Sequence, residues 1–286
     1  MSTPSSTPDP LAATPRQSLP RAACDAHIHI YDARYPQQAD GLDPPRPLGV
    51  RESQALQRRL GLQRGVVVTP GIYGTDNRAT LDAIRSLGEN DARGVAVVHP
   101  QVADAVLDAL HAGGIRGIRF TLFNPATAVT TFDMIEPLAQ RTQRLGWHIQ
   151  LHLLPGQVVE HAAMLKRLPG TLVFDHMLRL HGETGVAHKA LDIVAGLVAR
   201  GNTWIKLSGA YLNSGKDGYS DTVATAQALI RLSPQRMVWG SDWPHPTEKG
   251  DGPDDIALLN LLTQWAPDEA VRNRILVENP AELYGF

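Results

Sequence analysis

Short apolar segments alternate with longer helical patterns along the chain from Cys24 onwards. The short segments are rich in Val and Ile and apolar at nearly every position, which is typical of parallel strands covered on both faces. They predict eight strands, at residues 24–30, 65–69, 94–99, 117–121, 147–153, 171–176, 203–208 and 237–242.

The segments between these strands have apolar residues three and four positions apart, a spacing that predicts helices. Helices are predicted at residues 77–87, 102–111, 132–145, 158–168, 186–200 and 220–232, with a last helical region at 253–276. Gly61, Gly88, Gly113, Gly146 and Gly201 stand where helices are expected to stop.

Strict alternation of eight strands with helices predicts an α/β fold, a closed (β/α)8 TIM barrel. An open, doubly wound sheet is the alternative, but no Gly-x-Gly-x-x-Gly turn follows the first strand, so a dinucleotide site has no local support. We expect a single barrel domain over residues 23–286 and a disordered N-terminal arm over residues 1–22, which are rich in Ser, Thr, Pro and Ala.

The net charge and the composition limit the kinds of molecule that the protein is expected to bind. A net charge of −2 gives no electrostatic reason to expect nucleic acid or an anionic membrane, which leaves a small molecule as the expected partner. No apolar run approaches the roughly 18–20 residues that a membrane span needs. The single cysteine, Cys24, excludes an internal disulfide and a Cys-rich zinc site, and it is compatible with the expected location in the cytoplasm. The oligomeric state is left open.

In a barrel of this kind the chemistry lies at the carboxyl ends of the strands. The first strand carries Asp25, His27 and His29 at alternate positions, so their side chains are expected to share one face. A single buried histidine is more often an ordinary core residue, but two on the inward face of an apolar strand favour a functional pair.

Two further strands carry polar residues near their ends. Arg119 in the fourth strand offers fixed donors for a carboxylate or a lactone oxygen, although a buried ion pair in the barrel wall is an equal alternative. If the register of the fourth strand differs from the predicted one, Arg116 is the inward arginine instead of Arg119. In the fifth strand His152 lies nearest the carboxyl end and is the site candidate, whereas His148 near the entry is expected to be structural.

The sixth predicted strand ends in His176, and the eighth ends in Asp242, with His245 three residues later. Helix capping is an alternative role for Asp242. However, capping alone explains poorly why an aspartate stands at the end of an apolar strand, between Gly240 and Pro244. Histidine, arginine and aspartate at one height on several strands together indicate an active site.

These residues resemble a known family. The segments 25–29 (Asp-Ala-His-Ile-His), 173–176 (Val-Phe-Asp-His) and 239–246 (Trp-Gly-Ser-Asp-Trp-Pro-His-Pro), together with 113–120 and 277–280, look like the amidohydrolase superfamily. The most similar branch is the amidohydrolase 2 group, with 2-pyrone-4,6-dicarboxylate lactonase and related lactonases. The resemblance covers the chain from about residue 24 to residue 286 and implies a barrel that hydrolyses a lactone.

The resemblance also implies roles for individual residues. Asp242 would be the general base that activates water, while His27, His29 and His176 would line the site and polarise the carbonyl. In other members of the superfamily, the counterparts of His27, His29, His152 and Asp242 bind a divalent metal. The resemblance thus implies that these four residues would hold one, and zinc is the best suited ion. Some members of this branch work without metal, so both states remain open.

The sequence departs from the pyrone lactonase pattern in its arginines. No second basic residue follows Arg119 within residues 121–125, and none is present within residues 209–213. One arginine suits one carboxylate, so we expect a lactone with a single carboxylate. His245, Tyr73 and Tyr211 are further candidates to contact substrate, and Trp243 is a candidate pocket wall.

Three rival functions remain open on the same barrel: a lactone isomerase, a metal-dependent decarboxylase or hydratase, and a binding protein without activity. Ser208 and Ser241 lack the Gly-x-Ser-x-Gly setting of a serine hydrolase.

Overall fold

The computed structural model describes residues 15, 18–38, 48–248, 250 and 252–286, and its centre is a ring of parallel strands. Each strand pairs with the next one along the chain, in the order β1 to β8. The strands are β1 Cys24–Ile28, β2 Arg64–Val68, β3 Ala92–Ala96, β4 Ile115–Thr121, β5 His148–His152, β6 Leu172–Phe174, β7 Thr203–Leu207 and β8 Met237–Trp239. The predicted α/β barrel is confirmed.

Helices follow the strands and form the outer layer. They are α1 Val50–Leu60, α2 Arg78–Leu87, α3 Asp104–Ala112, α4 Ile135–Thr142, α5 Pro155–Glu160, α6 Ala162–Arg167, α7 Lys189–Val198, α8 Ala210–Asn213, α9 Val223–Leu232, α10 Asp255–Trp265, α11 Glu269–Asn273 and α12 Asn279–Tyr284. The sequence analysis gave no bounds for α1 but expected a helix to stop at Gly61, and Gly61 does end α1 in the left-handed conformation, with φ 80°.

The barrel closes between β1 and the segment that follows β8. The Asp242 N–H donates to the His27 carbonyl at 2.9 Å, and the His29 N–H donates to the Trp243 carbonyl at 2.7 Å. A Cβ atom on Gly240 would lie 2.7 Å from the His27 Cβ, so only glycine allows this approach. Closure of the barrel therefore places Asp242 directly beside His27 in β1 and His29, which follows β1.

The alternation of side chains along β1 is less regular than the sequence suggested. The register against β2 shifts between Asp25 and Ile28. As a result, the Asp25 carboxylate does not share a face with the His27 ring: its Oδ1 accepts from the backbone N–H groups of Ser241 at 2.9 Å and His27 at 3.1 Å. Asp25 thus ties β1 to the segment after β8 and contacts only the backbone of His27.

Two apolar cores lie on either side of the strands. The larger one packs the barrel against the helices, while a smaller one fills the amino-terminal end of the barrel around Cys24, Ala26 and Tyr284. Cys24 is fully buried there, as expected for a residue far from the chemistry. The barrel is thus sealed at one end, and its polar interior lies towards the carboxyl ends of the strands.

The predicted disordered arm lies mostly outside the described residues. Of its last part, residues 18–22 are described, and the Ala22 N–H donates to Gln63 Oε1 at 2.7 Å. Within the described ranges, none of the helices is both long and apolar enough to cross a membrane.

Candidate active site

A cavity of ≈ 280 Å³ opens at the carboxyl ends of the strands. Five of the residues predicted from the sequence line it: His29, Arg119, His152, His176 and Asp242. The rest of the wall is mostly apolar or hydroxyl-bearing, with the amide of Gln38, and includes Tyr31, Thr69, Ile72, Val97, Thr121, Phe123, Thr127, Val129, Thr130, Leu212 and Thr247. The predicted strand ends therefore do meet in one place.

Asp242 is 4% exposed and lies where the barrel closes. Its backbone takes the left-handed conformation, with φ 66°, which Asp tolerates better than most residues. The carboxylate Oδ2 accepts a hydrogen bond of 2.6 Å from the Tyr211 hydroxyl. The other oxygen, Oδ1, lies 3.4 Å from His27 Nε2 and 3.5 Å from His29 Nε2. The carboxylate is thus fixed on one side and faces the histidine pair on the other.

Burial and neighbouring charges set the protonation states. Burial by itself would raise the pKa of Asp242, but the facing imidazoles of His176, His29 and His27 hold it well below the usual range. Burial lowers the pKa of His176 to about 4 and that of His27 well below its ordinary value. At neutral pH the site therefore holds an ionised Asp242 carboxylate beside the neutral rings of His27 and His176.

Arg119 joins the cavity wall to the barrel interior. Its Nε donates to Asp175 Oδ2 at 2.9 Å, and its Nη2 lies 3.2 Å from His152 Nδ1 and 3.4 Å from His176 Nε2. The remaining nitrogen, Nη1, has no hydrogen bond to the described part of the chain. Arg119 thus forms a buried ion pair, one of the two predicted alternatives, and it also lines the cavity.

A second buried cation lies below His27. Lys206 in β7 is fully buried and donates to Gln150 Oε1 at 2.8 Å and to the Ala26 carbonyl at 2.9 Å. The carboxylate of Asp175 balances the charge of Lys206, with Asp175 Oδ1 lying 3.7 Å from Lys206 Nζ. The other oxygen, Asp175 Oδ2, accepts from Gln150 Nε2 at 3.1 Å. Sequence reasoning gave no role to these residues, although each interrupts an otherwise apolar strand or its end.

With this geometry established, comparison with known proteins decides the family. The family model described as "Amidohydrolase" matches residues 24–286, which is almost the whole of the described barrel. The chain belongs to the amidohydrolase family. The family predicted from the sequence motifs is therefore confirmed.

Several amidohydrolase relatives act on lactones. The chain is 33% identical over 282 residues to the 2-pyrone-4,6-dicarboxylate hydrolase of Comamonas testosteroni, covering 94% of this chain and 92% of that protein. It is 31% identical over 279 residues to the D-galactarolactone isomerase of Agrobacterium fabrum, with 94% and 93% covered. A crystal structure of a probable 2-pyrone-4,6-dicarboxylic acid hydrolase from Acinetobacter baumannii with citric acid bound has a TM-score of 0.80 and 27% identity, covering 93% of this chain and all of that one.

Amidohydrolase folds often carry a metal ion, and this chain has nitrogen and oxygen ligand atoms close together in its site. His27 Nε2, His29 Nε2 and Asp242 Oδ1 lie 3.3, 3.4 and 3.5 Å apart. Tetrahedral zinc with bonds of about 2.1 Å requires ligand atoms about 3.4 Å apart, so this spacing fits. Two overlapping sets also have ligand atoms within 4.8 Å of one another: His27, His176 and Asp242, and His152, Asp175 and His176. His/Asp groups in this site can therefore hold a metal, and His152 belongs to the second set.

Three residues that were predicted to contact substrate, Tyr73, Tyr211 and His245, lie outside the cavity wall. The Tyr73 hydroxyl hydrogen-bonds the backbone of Asp32, and the ring is outside the cavity wall. His245 Nε2 lies 3.0 Å from Asp255 Oδ1, and its ring packs edge-on against Tyr211, with centroids 5.2 Å apart. The Tyr211 hydroxyl in turn hydrogen-bonds Asp242, so His245 is connected to Asp242 only through Tyr211 and does not line the cavity.

Arg116, the alternative to Arg119, and His148, which was expected to be structural, both lie outside the cavity wall. Arg116 Nη1 donates to the carbonyls of His111 and Ile115 on the outside of β4, which leaves Arg119 as the inward arginine. The buried His148 ring packs edge-on against Tyr284 in the lower core.

Arg179 is a cation near the site that sequence reasoning missed. Its guanidinium lies over the Phe123 ring at 5.4 Å, and that ring packs against His152 in the cavity wall. Nη1 of Arg179 is buried without a hydrogen-bond partner in the described chain. Burial lowers the pKa of Arg179, while the nearby Tyr211 and Asp242 raise it. The only sequence signal was its position three residues after His176.

Proposed function

We propose that this chain hydrolyses a small lactone that carries an anionic group, with Asp242 as the general base. The observation that carries the proposal is the ionised carboxylate of Asp242, held by Tyr211 and aimed with His29 at a cavity of ≈ 280 Å³. The lactone-converting relatives support the substrate class.

The attacking group is a water molecule bound at Asp242. Oδ2 is committed to the Tyr211 hydroxyl, so Oδ1 is the oxygen that takes the proton from water. The new bond joins the water oxygen to the lactone carbonyl carbon, and the electron pair of the C=O bond moves to the carbonyl oxygen. The ring C–O bond then breaks, and the proton on Asp242 passes to the leaving alkoxide, which returns the carboxylate to its starting state.

The oxyanion needs a donor that is already in place. Arg119 Nη1 has this position, because the other guanidinium nitrogens are fixed by Asp175, His152 and His176. We therefore assign Arg119 to the lactone carbonyl oxygen rather than to a substrate carboxylate. His176 is oriented in turn by Ser208, whose Oγ lies 2.9 Å from its Nδ1.

A metal ion, if part of the enzyme, would be held by His27, His29 and Asp242, and zinc suits this donor set. His152, the fourth ligand expected from the sequence, is grouped instead with Asp175 and His176. When bound, it would lower the pKa of water and polarise the carbonyl. The assignments of Tyr211 and Arg119 are the same with or without it.

Arg179 is the group that we assign to the anionic substituent. It stands beside the cavity on Phe123, and its buried Nη1 lacks a partner that a carboxylate or sulfonate would supply. The cations Arg119 and Lys206 already pair with Asp175, so a substrate anion needs this further charge.

A panel of five- and six-membered lactones tests the substrate class, and Arg179→Met tests the anchor. We expect turnover of carboxylated or sulfonated members, and a KM for them raised about tenfold or more in the variant, because a charge-assisted hydrogen bond is lost. The uncharged parent lactone is the matched control, and its kcat/KM is expected to be unchanged by the substitution. Failure of every member to open faster than in buffer would refute the lactonase proposal, and equal loss on charged and uncharged lactones would refute the anchor.

The Tyr211 hydrogen bond predicts a shift in the pH profile. Tyr211→Phe removes a donor to the ionised carboxylate, which raises the pKa of Asp242. Because Asp242 must be ionised to act as the base, the acid limb of kcat/KM is expected to move to higher pH in the variant. Tyr219→Phe is the control, since that ring lies outside the cavity wall. An acid limb at the same pH in both variants would show that Tyr211 does not support the base.

A lactone isomerase is the second candidate, favoured by the similarity to D-galactarolactone isomerase. In that reaction a hydroxyl of the substrate replaces water as the attacking group, and Asp242 and Arg119 keep the same roles.

A further inference from the structure

The chain makes a left-handed turn directly after β6. The backbone φ is 50° at His176 and Met177, 59° at Leu178 and 55° at Arg179. In this region the Cβ atom of an L-residue crowds the backbone, so single residues adopt it, most often glycine, and four in succession with side chains are rare. The surrounding structure must therefore hold this turn in place.

The geometry of the turn decides where its side chains lie. Its hydrogen bonds join residues three apart, and in such a turn the side chains at positions i and i+3 lie on the same side. His176 and Arg179 have this spacing. Met177 and Leu178 between them are 0% and 1% exposed and belong to the larger apolar core. The turn thus buries its two central side chains and directs the outer two to one side.

His176 and Arg179 contact the same part of the cavity wall. The ring centroids of His176 and His152 lie 4.5 Å apart, and those of His152 and Phe123 also lie 4.5 Å apart. The Arg179 guanidinium lies 5.4 Å from the Phe123 centroid. The four side chains form a continuous row, and both ends of the row come from one turn. The shape of the turn therefore sets the position of Arg179 relative to His176.

Asn213 holds the turn from a neighbouring element. It is the last residue of α8, it is 1% exposed, and its Nδ2 donates to the His176 carbonyl at 2.9 Å. Only the nitrogen of a side-chain amide donates, so this contact fixes the orientation of the amide. The Oδ1 atom is buried and has no hydrogen-bond partner in the described chain. The buried amide is therefore directed at the turn, although this leaves its own oxygen unpaired.

Helix α8 also connects the turn to the proposed base. Gly209 precedes the helix, and a Cβ atom on it would lie 3.0 Å from the His176 Cβ, so the backbone packs directly against the turn. Tyr211 in the same helix donates to Asp242 Oδ2 at 2.6 Å. One short helix thus holds the carboxylate through Tyr211 and the turn through Asn213.

We propose that Asn213 is a positioning residue that holds the left-handed turn His176–Arg179 and so fixes Arg179 beside the cavity, where it meets the anionic group of the substrate. Without the amide donor, the buried His176 carbonyl loses its partner and the backbone is free to leave the left-handed region. The holding of the turn is a property of the free protein. Its effect on substrate binding rests on the proposed lactonase function and on the assignment of Arg179.

Hydrogen–deuterium exchange of single backbone amides, followed by NMR, tests the holding of the turn without substrate. The reporters are the N–H groups of Leu178 and Leu180, whose hydrogen bonds of 3.0 and 3.2 Å close the turn. In Asn213→Ala we expect both to exchange about tenfold or more faster than in wild type, because a buried carbonyl loses its donor. The Asp175 N–H, which donates to the Leu151 carbonyl within the barrel, is the internal reference and is expected to be unchanged.

Asn279→Ala is the matched control. Asn279 is also buried, and its Nδ2 donates to backbone carbonyls at 2.7 Å, but away from the turn. We expect this variant to leave the exchange of Leu178 and Leu180 unchanged relative to Asp175. Equal acceleration of all three amides in Asn213→Ala would indicate a general loss of stability and overturn the proposal. Fast exchange of Leu178 and Leu180 in the wild-type protein would overturn it without any variant.

The kinetic test compares an accepted anionic lactone with its uncharged parent. Asn213→Ala is expected to raise the KM of the anionic lactone about fivefold or more and to leave that of the parent close to wild type, because the anchoring contact of Arg179 is weakened. In an Arg179→Met background the same substitution is expected to add nothing to the KM of the anionic lactone. Asn279→Ala is expected to leave both KM values unchanged.

An equal rise in KM for both lactones, or a full additional effect in the Arg179→Met background, would contradict the link between Asn213 and Arg179. Absence of turnover on every lactone would refute the lactonase proposal alone, because the exchange rates decide the role of Asn213 in the turn without substrate.

Discussion

Asp242→Asn is expected to lower kcat on an accepted lactone by about a thousandfold, the range found for removal of a general base. Asparagine has the size of aspartate, and its amide oxygen can still accept from the Tyr211 hydroxyl. It cannot take a proton from water, so the chemical step is lost while the cavity keeps its shape. The measurement is kcat and KM with the melting temperature as a check on the fold.

Asp192→Asn is the matched control, because Asp192 is exposed on α7, outside the cavity wall. We expect it to keep wild-type kcat, whereas Asp242→Asn keeps a KM close to wild type with a much lower kcat. An Asp242→Asn variant with more than about a tenth of the wild-type kcat would exclude Asp242 as the base.

Asp175→Asn is expected to cost about 3 kcal/mol of unfolding free energy. The substitution leaves two buried cations, Arg119 and Lys206, without the carboxylate that lies 2.9 Å from one and 3.7 Å from the other. Burial alone would raise the pKa of Asp175, but Arg119, His27 and Lys206 hold it well below the usual range. Its ionised form therefore stabilises the fold above the unfolded-state pKa of about 4, and this contribution is lost as the pH falls below it.

Chemical denaturation at two pH values measures this cost. The difference between wild type and Asp175→Asn is expected to be large at pH 7 and to shrink at about pH 3, where the wild-type contribution is already being lost. In the double variant Asp175→Asn/Lys206→Met one cation is removed with the carboxylate, so the loss is expected to be smaller than the sum of the single losses. A cost below about 1 kcal/mol at pH 7, or strict additivity, would show that the network does not hold charges together.

The sequence predicted the barrel because its strands are read from local patterns. All eight strands are found, most of them shifted or shortened by a few residues, and β1 ends at Ile28 where a strand to residue 30 was predicted. The irregular register of β1 could not be predicted, since it is a property of the pairing with β2, some 40 residues further along the chain. Strand-end logic also found Asp242 and His176, because the carboxyl ends of barrel strands must converge.

The charged interior was not predictable in the same way. Lys206, Asp175 and Arg119 come from three strands or their ends, and only their pairing in space makes a buried charge acceptable. Tyr73 and Tyr211 show a related limit: both follow strands, yet one hydroxyl binds the backbone at Asp32 and the other binds Asp242. Sequence position does not distinguish these two outcomes.

In the proposed reaction Asp242 activates a water molecule, and the oxygen of that water attacks the lactone carbonyl carbon. The most direct measurement is mass spectrometry of the product formed by wild-type enzyme in water labelled with heavy oxygen, on a lactone that the panel shows to be accepted. Hydrolysis predicts a ring-opened product that carries one heavy oxygen in its new carboxylate. A product of unchanged mass, or an isomeric lactone without label, would contradict hydrolysis and assign the site to isomerisation.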